Sequence, residues 1–460
     1  MTVSRNRSSH AHLPSRRAIA GLIMACAGTS AEAEPFLLHR GGADTAAPAS
    51  ARVLPRRWSA PAAASQTALA TATVSNCLNS GAGSLRDAVA TDAAIIDMTA
   101  LGCSTISLTT GAIIVNHNAA NVAFMGPTDH LLTIDGNNNG RVLVHNGEGL
   151  LTLDHVKLTN GSYANGYAGG GCVYANGSAT LQNATISNCT LNFTDYDANG
   201  GAIYVMHDLT LNDSVISGNL AQSAKDAHGG GAYVFGTLVM NRSTLRDNTA
   251  SSPVSSTGGG AKVLGVAELY SATVSGNAAL FEGGLDLRSS ATVSNSTISG
   301  NQAATQIGGL LVIGPLVLDN STVALNTHGS TQFGAGIRAS ASMLAHSSIV
   351  ANNTSTSSGQ NVDILCQSCV VTGSNNLIMG SNGALPAGTI LVDPMLGPLA
   401  DNGGPTKTHA LLAESPALDN GSNIHDFAFD QRGHVRSFGF GPDIGAFEAG
   451  VDAIFADGFD

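Results

Sequence analysis

The chain contains 460 residues and carries a formal net charge of −12, with only 11% charged and 5% aromatic residues but 55 glycines. A single compact core stops growing well below this length, so we expect either several domains or an elongated, repetitive architecture. The low charge and high glycine content argue against a helical enzyme. The 43% hydrophobic content argues against a disordered chain, and the acidic balance argues against a nucleic-acid partner.

Residues 1–33 have the composition of an export signal. Arginines precede the apolar stretch Ala18–Ala27, and Ala31–Ala33 fits the small-x-small cleavage rule. The pair Arg16-Arg17 also fits a twin-arginine signal, and the residues before Cys26 form a poor lipoprotein box, so three export routes remain open. We expect an exported mature protein that begins with a flexible Ala/Pro-rich leader at residues 34–71.

Residues 72–148 are predicted to form an N-terminal cap and the entry coils of a repeat. Ser84–Ala94 is the best helix candidate, with Ser84 as its N-cap, and it would cover the open apolar end of a repeat stack. Asp135–Gly140 imitates the start of a calcium loop, but Asn146 stands at the twelfth position, where calcium requires a bidentate glutamate. A Gly/Asn turn is therefore the better interpretation.

One pattern recurs through residues 149–352: two apolar residues separated by one, four further residues, then an aliphatic anchor. The anchors recur at intervals of 24 to 30 residues. They are Leu158, Ile186, Ile216, Leu245, Val274, Ile298, Val323 and Ile349. Each copy contains a glycine pair and short alternating strands but no helical period, which predicts one coil of a parallel β-helix. The structural alternative, a β-propeller, has longer blades of four strands each.

We therefore predict an all-β, single-stranded, right-handed parallel β-helix with an N-terminal cap helix and an irregular C-terminal cap. Three residues after the third and each later anchor, an asparagine ladder is predicted, whereas the first two copies have Gly161 and Cys189 at this position. Asparagine tolerates left-handed backbone at a bend, and its amide can bond to the equivalent amide one coil away. The predicted members are Asn219, Asn248, Asn277, Asn301, Asn326 and Asn352.

The C-terminal part has no such repeat. Residues 353–448 are predicted to form irregular coils and loops that close the other end of the stack. Residues 449–460 form an acidic-aromatic tail, for which a sorting signal and a frayed terminus both remain open.

Six cysteines remain when Cys26 is assigned to the export signal, and an even number favours disulfides in an exported chain. Sequence proximity suggests three pairs among several possible connectivities. These pairs are Cys77 with Cys103, Cys172 with Cys189, and Cys366 with Cys369. A redox or zinc interpretation of the last pair would need a thioredoxin-like setting or two more ligands, and neither is visible.

Several of these motifs resemble those of bacterial surface β-helices. Gly200-Gly201-Ala202-Ile203 and the aliphatic-x-x-Asn signature resemble polymorphic outer membrane protein repeats, with isoleucine or valine in place of the usual phenylalanine. Ser84–Ala88 is similar to the Ser-Leu-Arg-Glu-Ala segment of many exported right-handed β-helix proteins, with Asp87 in place of glutamate.

Downstream segments look like the choice-of-anchor Q domain of bacterial surface proteins. They are Asp393–Leu399, Asp401–Thr406, Ser415–Asp419, Asp430–Gly433 and Asp443–Glu448. This resemblance implies a secreted or outer-surface β-helix of a bacterium, with no accepted catalytic residues to transfer.

The variable loops of the early coils carry the candidate site residues. Candidates for ligand binding are Tyr163, Tyr167, Phe193, Tyr196 and His228, and candidates for catalysis are Asp195, Asp197 and Asp226. Stacked along one side, they would form a rim of aromatic faces and carboxylates, as in a sugar-binding groove. The alternative is that they are solvated loop residues.

A second column, also predicted to be exposed, follows the glycine pairs. It contains Ile203, Tyr233, Lys262, Asp286, Leu311 and Arg338. Lys262, Asp286 and Arg338 would supply basic and acidic groups for catalysis, but opposite charges on neighbouring coils more often neutralise one another.

Our leading hypothesis is a non-enzymatic, exported β-helix that serves adhesion or glycan binding through its variable loops. A polysaccharide lyase or glycoside hydrolase acting on extracellular polysaccharide is the first alternative, by analogy of fold, and a purely structural envelope protein is the second. We expect no metal or cofactor, with calcium left open. The expected partners are extracellular polysaccharides or cell-surface glycans. We expect a monomer that does not span the membrane, since no apolar run after the first thirty residues is long enough.

Overall fold

A computed structural model describes residues 69–116, 121–164, 166, 169–330, 336–359, 363–366 and 369–450. The predicted export signal, most of the leader, Tyr167 and most of the C-terminal tail lie outside these residues. Between Thr71 and Ile378 the chain winds through successive coils whose strands pair in parallel with the equivalent strands of neighbouring coils. The predicted parallel β-helix is confirmed.

Three long sheets form the sides of the helix. Sheet 1 comprises Thr71–Thr73, Ile95–Asp97, Val122–Met125, Leu151–Asp154, Ala179–Gln182, Leu209–Asn212, Leu238–Asn241, Ala267–Tyr270, Ala291–Ser294, Leu316–Asp319, Met343–His346 and Val371–Ser374. Sheet 2 comprises Thr105–Ser107, Leu132–Asp135, Val156–Thr159, Thr185–Ser187, Val215–Ser217, Thr244–Arg246, Thr273–Ser275, Thr297–Ser299, Thr322–Ala324, Ile349–Ala351 and Leu377–Ile378. Sheet 3 comprises Ile113–Val115, Leu143–His145, Val173–Ala175, Ile203–Val205, Ala232–Val234, Ala261–Val263, Leu285–Leu287, Leu310–Val312, Ile337–Ala339 and Ile364–Cys366.

Shorter strands extend the coils on one side. Sheet 4 comprises Ser162–Tyr163, Thr190–Phe193, Leu220–Ser223, Thr249–Ser251, Ala278–Ala279, Gln302–Ala303, Thr327–His328 and Thr354–Ser355. Sheet 5 comprises Ala198–Asn199, Asp226–His228 and Ser255–Thr257. An antiparallel hairpin, Leu396–Ala400 with Thr408–Leu411, follows the last coil.

Strand periodicity places the core. In sheet 1 the first and third residues of most strands point inward, as do Leu209 and Leu211, whose side chains are fully buried. Each coil presents the same apolar positions at the same place, so the inward side chains stack into one continuous core along the helix.

The asparagine ladder is present, with one member corrected. Asn219, Asn248, Asn277, Asn301, Asn326 and Asn353 are linked by side-chain amide bonds of 2.8–3.0 Å. The prediction that Asn352 belongs to the ladder is wrong. Its backbone is left-handed, with φ 59°, and its side chain donates to Asp393 Oδ1. The anchor of that coil is Val350, which pairs with Val323, so the sequence alignment began one residue too early.

A short helix, Leu85–Val89, packs against the first strands. Ser84 caps it, since its Oγ accepts a hydrogen bond from the Asp87 backbone N–H at 3.3 Å. The helix is shorter than predicted because the chain turns at its C-terminus, where Asp92 has a φ of 57°. The part of the chain that the structure describes contains no helix long and apolar enough to cross a membrane.

The three cysteine pairs suggested by sequence proximity are confirmed. Cys77 pairs with Cys103, Cys172 with Cys189, and Cys366 with Cys369. Their Cα atoms are 6.6, 5.4 and 5.3 Å apart, respectively.

Residues 393–449, here called the C-terminal strap, lie along the side of the helix, which corrects the prediction that residues 353–448 only close its end. Several outward side chains of sheet 2 are small hydroxyls, and two of them bind the strap. Thr273 Oγ1 donates to the Lys407 carbonyl at 2.7 Å, and Thr297 Oγ1 donates to Gln431 Oε1 at 2.6 Å.

Candidate functional site

The most unusual surface is the outward face of sheet 3. Because side chains alternate along a strand, the central residue of each three-residue strand points away from the core. The register aligns Tyr174, Tyr204, Tyr233, Lys262, Asp286, Leu311 and Arg338 on successive coils, and we call this set the cleft column.

The cleft column replaces one predicted member. Ile203 was expected to be exposed, but it is fully buried and points into the core, while Tyr204 takes the outward position. The corner of Gly200-Gly201 corresponds to Gly229-Gly230 on the next coil, and in this register Tyr204 aligns with Tyr233.

The cleft column is recessed below the side chains that flank it, and we call this recessed strip the cleft. Asp286 is fully buried, Leu311 is 4% exposed and Tyr233 is 9% exposed, although all three point outward. Side chains that precede the strands, such as His228 and Glu282, lie on one side of it. On the other side, Phe235 and Arg288 follow equivalent strand ends.

Three tyrosines form one end of the cleft column. The Tyr174 and Tyr204 rings stack at 5.7 Å between centroids, and the Tyr204 and Tyr233 rings stack at 5.5 Å. Phe235 meets Tyr204 and Tyr233 edge-on and is 37% exposed. Because the tyrosine rings face each other, they present hydroxyl-bearing edges rather than ring faces, and burial raises the pKa of Tyr204 to about 12.

Charged groups form the other end. Arg288 holds Asp286 through two contacts, Nε to Oδ1 at 2.6 Å and Nη2 to Oδ2 at 2.8 Å, and Lys262 Nζ lies 3.6 Å from Oδ2. Glu282 lies close enough to these groups for their charges to change its pKa. Burial, and then the charge of Asp286, raises the pKa of Glu282 to about 7, although Arg288, Lys262 and Arg338 oppose this rise.

His228 connects the cleft column to two of the predicted carboxylates. Its ring lies 6.4 Å from Tyr233, and its Nδ1 is 2.9 Å from Thr257 Oγ1. Burial, reinforced by Lys262, lowers the pKa of His228 to about 4, and Asp286, Asp226 and Asp197 oppose this change. His228 is therefore a neutral imidazole at physiological pH.

The other predicted site residues lie apart from this group or outside the description. Asp195 is exposed, and Tyr196 is 53% exposed on the same loop. Phe193 is not on an exposed rim, because it packs in a small second core beside sheet 4. Its ring meets Tyr163 edge-on at 6.0 Å, and the guanidinium of Arg141 lies 3.6 Å from the centre of the Tyr163 ring.

Sequence reasoning missed Tyr174, Tyr204, Glu282 and Arg288. Tyr204 could have been found by counting from the glycine at the corner, since the outward residue follows the first glycine of the pair by four positions in both Gly200 and Gly229 coils. Glu282 had no such signal, because it occupies a position that is glycine on earlier coils.

Comparisons with protein-family models, with curated proteins and with solved structures found no match to this chain. The family resemblances therefore remain predictions from the motifs. Within the described residues, no group of three or more His, Cys, Asp or Glu side chains is arranged to hold a metal ion.

Proposed function

We propose that this chain is an exported bacterial surface or secreted protein that binds an extended glycan along the cleft column. The observation that carries the proposal is the column itself, a row of outward but recessed side chains on successive coils that carry a hydroxyl or a charge at every position except Leu311. The three disulfides are consistent with an oxidising compartment outside the cytoplasm.

The spacing of the cleft column suits a linear polymer. Neighbouring coils lie about 4.8 Å apart, so each coil offers one set of polar groups to roughly one sugar unit. Tyrosine edges supply hydrogen-bond donors, and the half-exposed ring of Phe235 supplies an apolar surface for a sugar. The proposal thus keeps glycan binding but moves it from the variable loops to sheet 3.

Polysaccharide cleavage is the second candidate, favoured by one observation. Glu282, with its pKa of about 7, has the protonation behaviour of a general acid, and it lies near the carboxylate of Asp286. Both groups are almost completely buried, so a substrate would have to displace side chains to reach them. Binding without cleavage is therefore the better-supported activity.

The test compares Tyr204→Phe with the wild-type protein in binding to a panel of neutral and acidic polysaccharides. Phenylalanine preserves the ring stack but removes one hydroxyl, so we expect about a 3- to 10-fold loss of affinity. Tyr270→Phe is the matched control, because Tyr270 is a partly exposed tyrosine on sheet 1.

The same samples are scored for shortened chains, which would support the hydrolase or lyase alternative. Absence of binding to every glycan, or equal losses in the two variants, would contradict glycan binding in the cleft. When bacteria express the full chain, we expect to recover the protein from the medium or the cell surface. Recovery from the cytosol alone would contradict export.

A further inference from the structure

Basic residues are concentrated at the charged end of the cleft. Between residues 161 and 380 the chain contains six lysines and arginines: Lys225, Arg242, Arg246, Lys262, Arg288 and Arg338. Arg242 pairs with Asp213, each directly after a strand of sheet 1, and Arg246 pairs with Asp247. The last three lie together at the cleft, in a chain whose net charge is −12.

Glu282 is the unusual member of this cluster. It stands where the preceding coils have the left-handed glycines Gly200, Gly229 and Gly258, with φ of 76°, 61° and 62°. Its side chain is 4% exposed, and its Oε2 atom is buried without a hydrogen-bond partner among the described residues. A buried carboxyl oxygen without a donor is costly when ionised, so this position favours the protonated form of Glu282.

The local charge is positive. Lys262, Arg288 and Arg338 bring three positive charges, and Asp286 brings one negative charge. The cluster is therefore cationic whether or not Glu282 is ionised, and it is more cationic when Glu282 carries a proton. Asp197 and Asp226 act on His228 and are not among the charges that act on Glu282.

We propose that the charged end of the cleft selects polysaccharides that carry carboxylate groups, and that Glu282 makes their binding depend on pH. This inference rests on the proposed glycan-binding function of the cleft. It names the chemical class of the ligand and the side chains that recognise it, Lys262, Arg288 and Arg338.

The direction of the pH dependence follows from charge. Glu282 is protonated below about pH 7, which removes a negative charge beside the bound carboxylates. An anionic ligand therefore binds more tightly as pH falls from 8 to 6, and by linkage its binding raises the pKa of Glu282 further. His228 and Tyr204 do not titrate in this interval, since their pKa values are about 4 and about 12.

The experiment measures binding of polygalacturonate and of its fully methyl-esterified form at pH 6 and pH 8. The ester has the same backbone without the charges. We expect tighter binding of the acid, with an affinity about five-fold higher at pH 6 than at pH 8. In Glu282→Gln the affinity should stay at the pH 6 level at both pH values. Arg338→Gln should weaken binding of the acid about five-fold and leave the ester unchanged.

Arg242→Gln is the matched control, since Arg242 is a cation directly after a strand of sheet 1 and should not affect binding. Equal affinities for acid and ester would overturn the inference while leaving the proposed glycan binding intact. Preference for the acid that is insensitive to Arg338→Gln would also overturn it. Binding of neither polymer, nor of any other glycan, would overturn the proposed function as well. Thermal melting of each variant shows whether it is folded. The comparison of acid and ester uses the wild-type protein, so it does not depend on the folding of any variant.

Discussion

Asp363 stands at the end of the buried asparagine ladder, where a carboxylate takes the place of an amide. Its Oδ1 accepts hydrogen bonds from the Asn353 backbone N–H at 2.9 Å and from Asn353 Nδ2 at 2.8 Å. Burial raises the pKa of Asp363 to about 6, and the bonds from Asn353 and Gly380 oppose this rise. The ladder therefore ends on a group that the fold prefers to keep protonated.

This position predicts a stabilising substitution. A carboxyl group with a raised folded-state pKa favours folding fully below its ordinary pKa near 4, and this contribution is lost as pH rises through about 6. Asp363→Asn keeps the acceptor and removes the charge. At pH 8 we expect the free energy of unfolding to increase by about 1 to 3 kcal/mol.

Denaturant titrations of both proteins at about pH 3 and about pH 8 check this prediction. The two proteins should have nearly the same stability at about pH 3, because residue 363 is then neutral in the folded and the unfolded states of both proteins. A stability difference that is independent of pH would contradict the proposed cause.

Most members of the asparagine ladder could be predicted from the sequence. Its periodicity was visible because each member must satisfy the same backbone and amide groups on the next coil. The error at Asn352 arose where Ile349 and Val350 are both fully buried. Ile349 packs outward against the strap and Val350 packs inward, so apolar character no longer identifies the inward residue.

The strap is the element whose placement the sequence motifs did not reveal. Its charged residues hold it together: Arg432 Nε lies 2.9 Å from Asp430 Oδ2, and the Arg432 guanidinium lies 3.7 Å from the centre of the Phe447 ring. Gln431 links it to the helix, since Nε2 donates to Thr273 Oγ1 of sheet 2 at 2.9 Å, and the same atom donates within the strap to Thr406 Oγ1 at 2.9 Å. The motifs that resemble the choice-of-anchor Q domain thus have a structural use in this chain.

Gln431→Ala should loosen the strap without unfolding the coils. The substitution leaves Thr273, Thr297 and Thr406 without a buried side-chain partner, so we expect the strap to lose about 2 to 4 kcal/mol of local stability. Limited proteolysis and hydrogen exchange should show faster cleavage and exchange within residues 393–449.

Gln302→Ala is the control, because Gln302 is an exposed glutamine on sheet 4. Its cleavage pattern should equal that of the wild-type protein. Unchanged protection of the strap in Gln431→Ala would show that these hydrogen bonds do not hold it.

Elements differ in how far sequence predicts them. Coils follow from a repeated apolar pattern, because each coil must match its neighbours, and the helix at Leu85–Val89 follows from its cap at Ser84. The strap has no internal repeat, and its partners on sheet 2 are more than a hundred residues away. The members of the cleft column can be predicted only when the residue-by-residue register between neighbouring coils is known. A register error of one residue replaces an outward side chain, such as Tyr204, by an inward one, such as Ile203.

At the scale of the whole molecule, each coil contacts mainly the coils before and after it. Stability in such a stack is approximately a sum of coil contributions and nearest-neighbour interfaces. The cleft column begins at Tyr174, several coils after the first strand at Thr71–Thr73. Damage at the N-terminal end should therefore remain distant from the cleft.

The disulfide between Cys77 and Cys103 allows this separation to be tested. Replacing both residues by serine removes a crosslink that closes a 26-residue interval, worth about 2 to 4 kcal/mol. We expect faster hydrogen exchange in residues 71–115 but unchanged exchange around Tyr204 and Lys262, with glycan affinity preserved.

The paired variant Cys172→Ser/Cys189→Ser should behave differently. Cys172 directly precedes the strand that carries Tyr174, and both cysteines are fully buried. Its loss should raise exchange at the tyrosine end of the cleft and weaken glycan binding. Hydrogen exchange and binding measured on both double variants decide the question. If removal of the Cys77–Cys103 bond unfolded every coil together, the molecule would be one cooperative unit, and the cleft could not be treated as independent of the N-terminal cap.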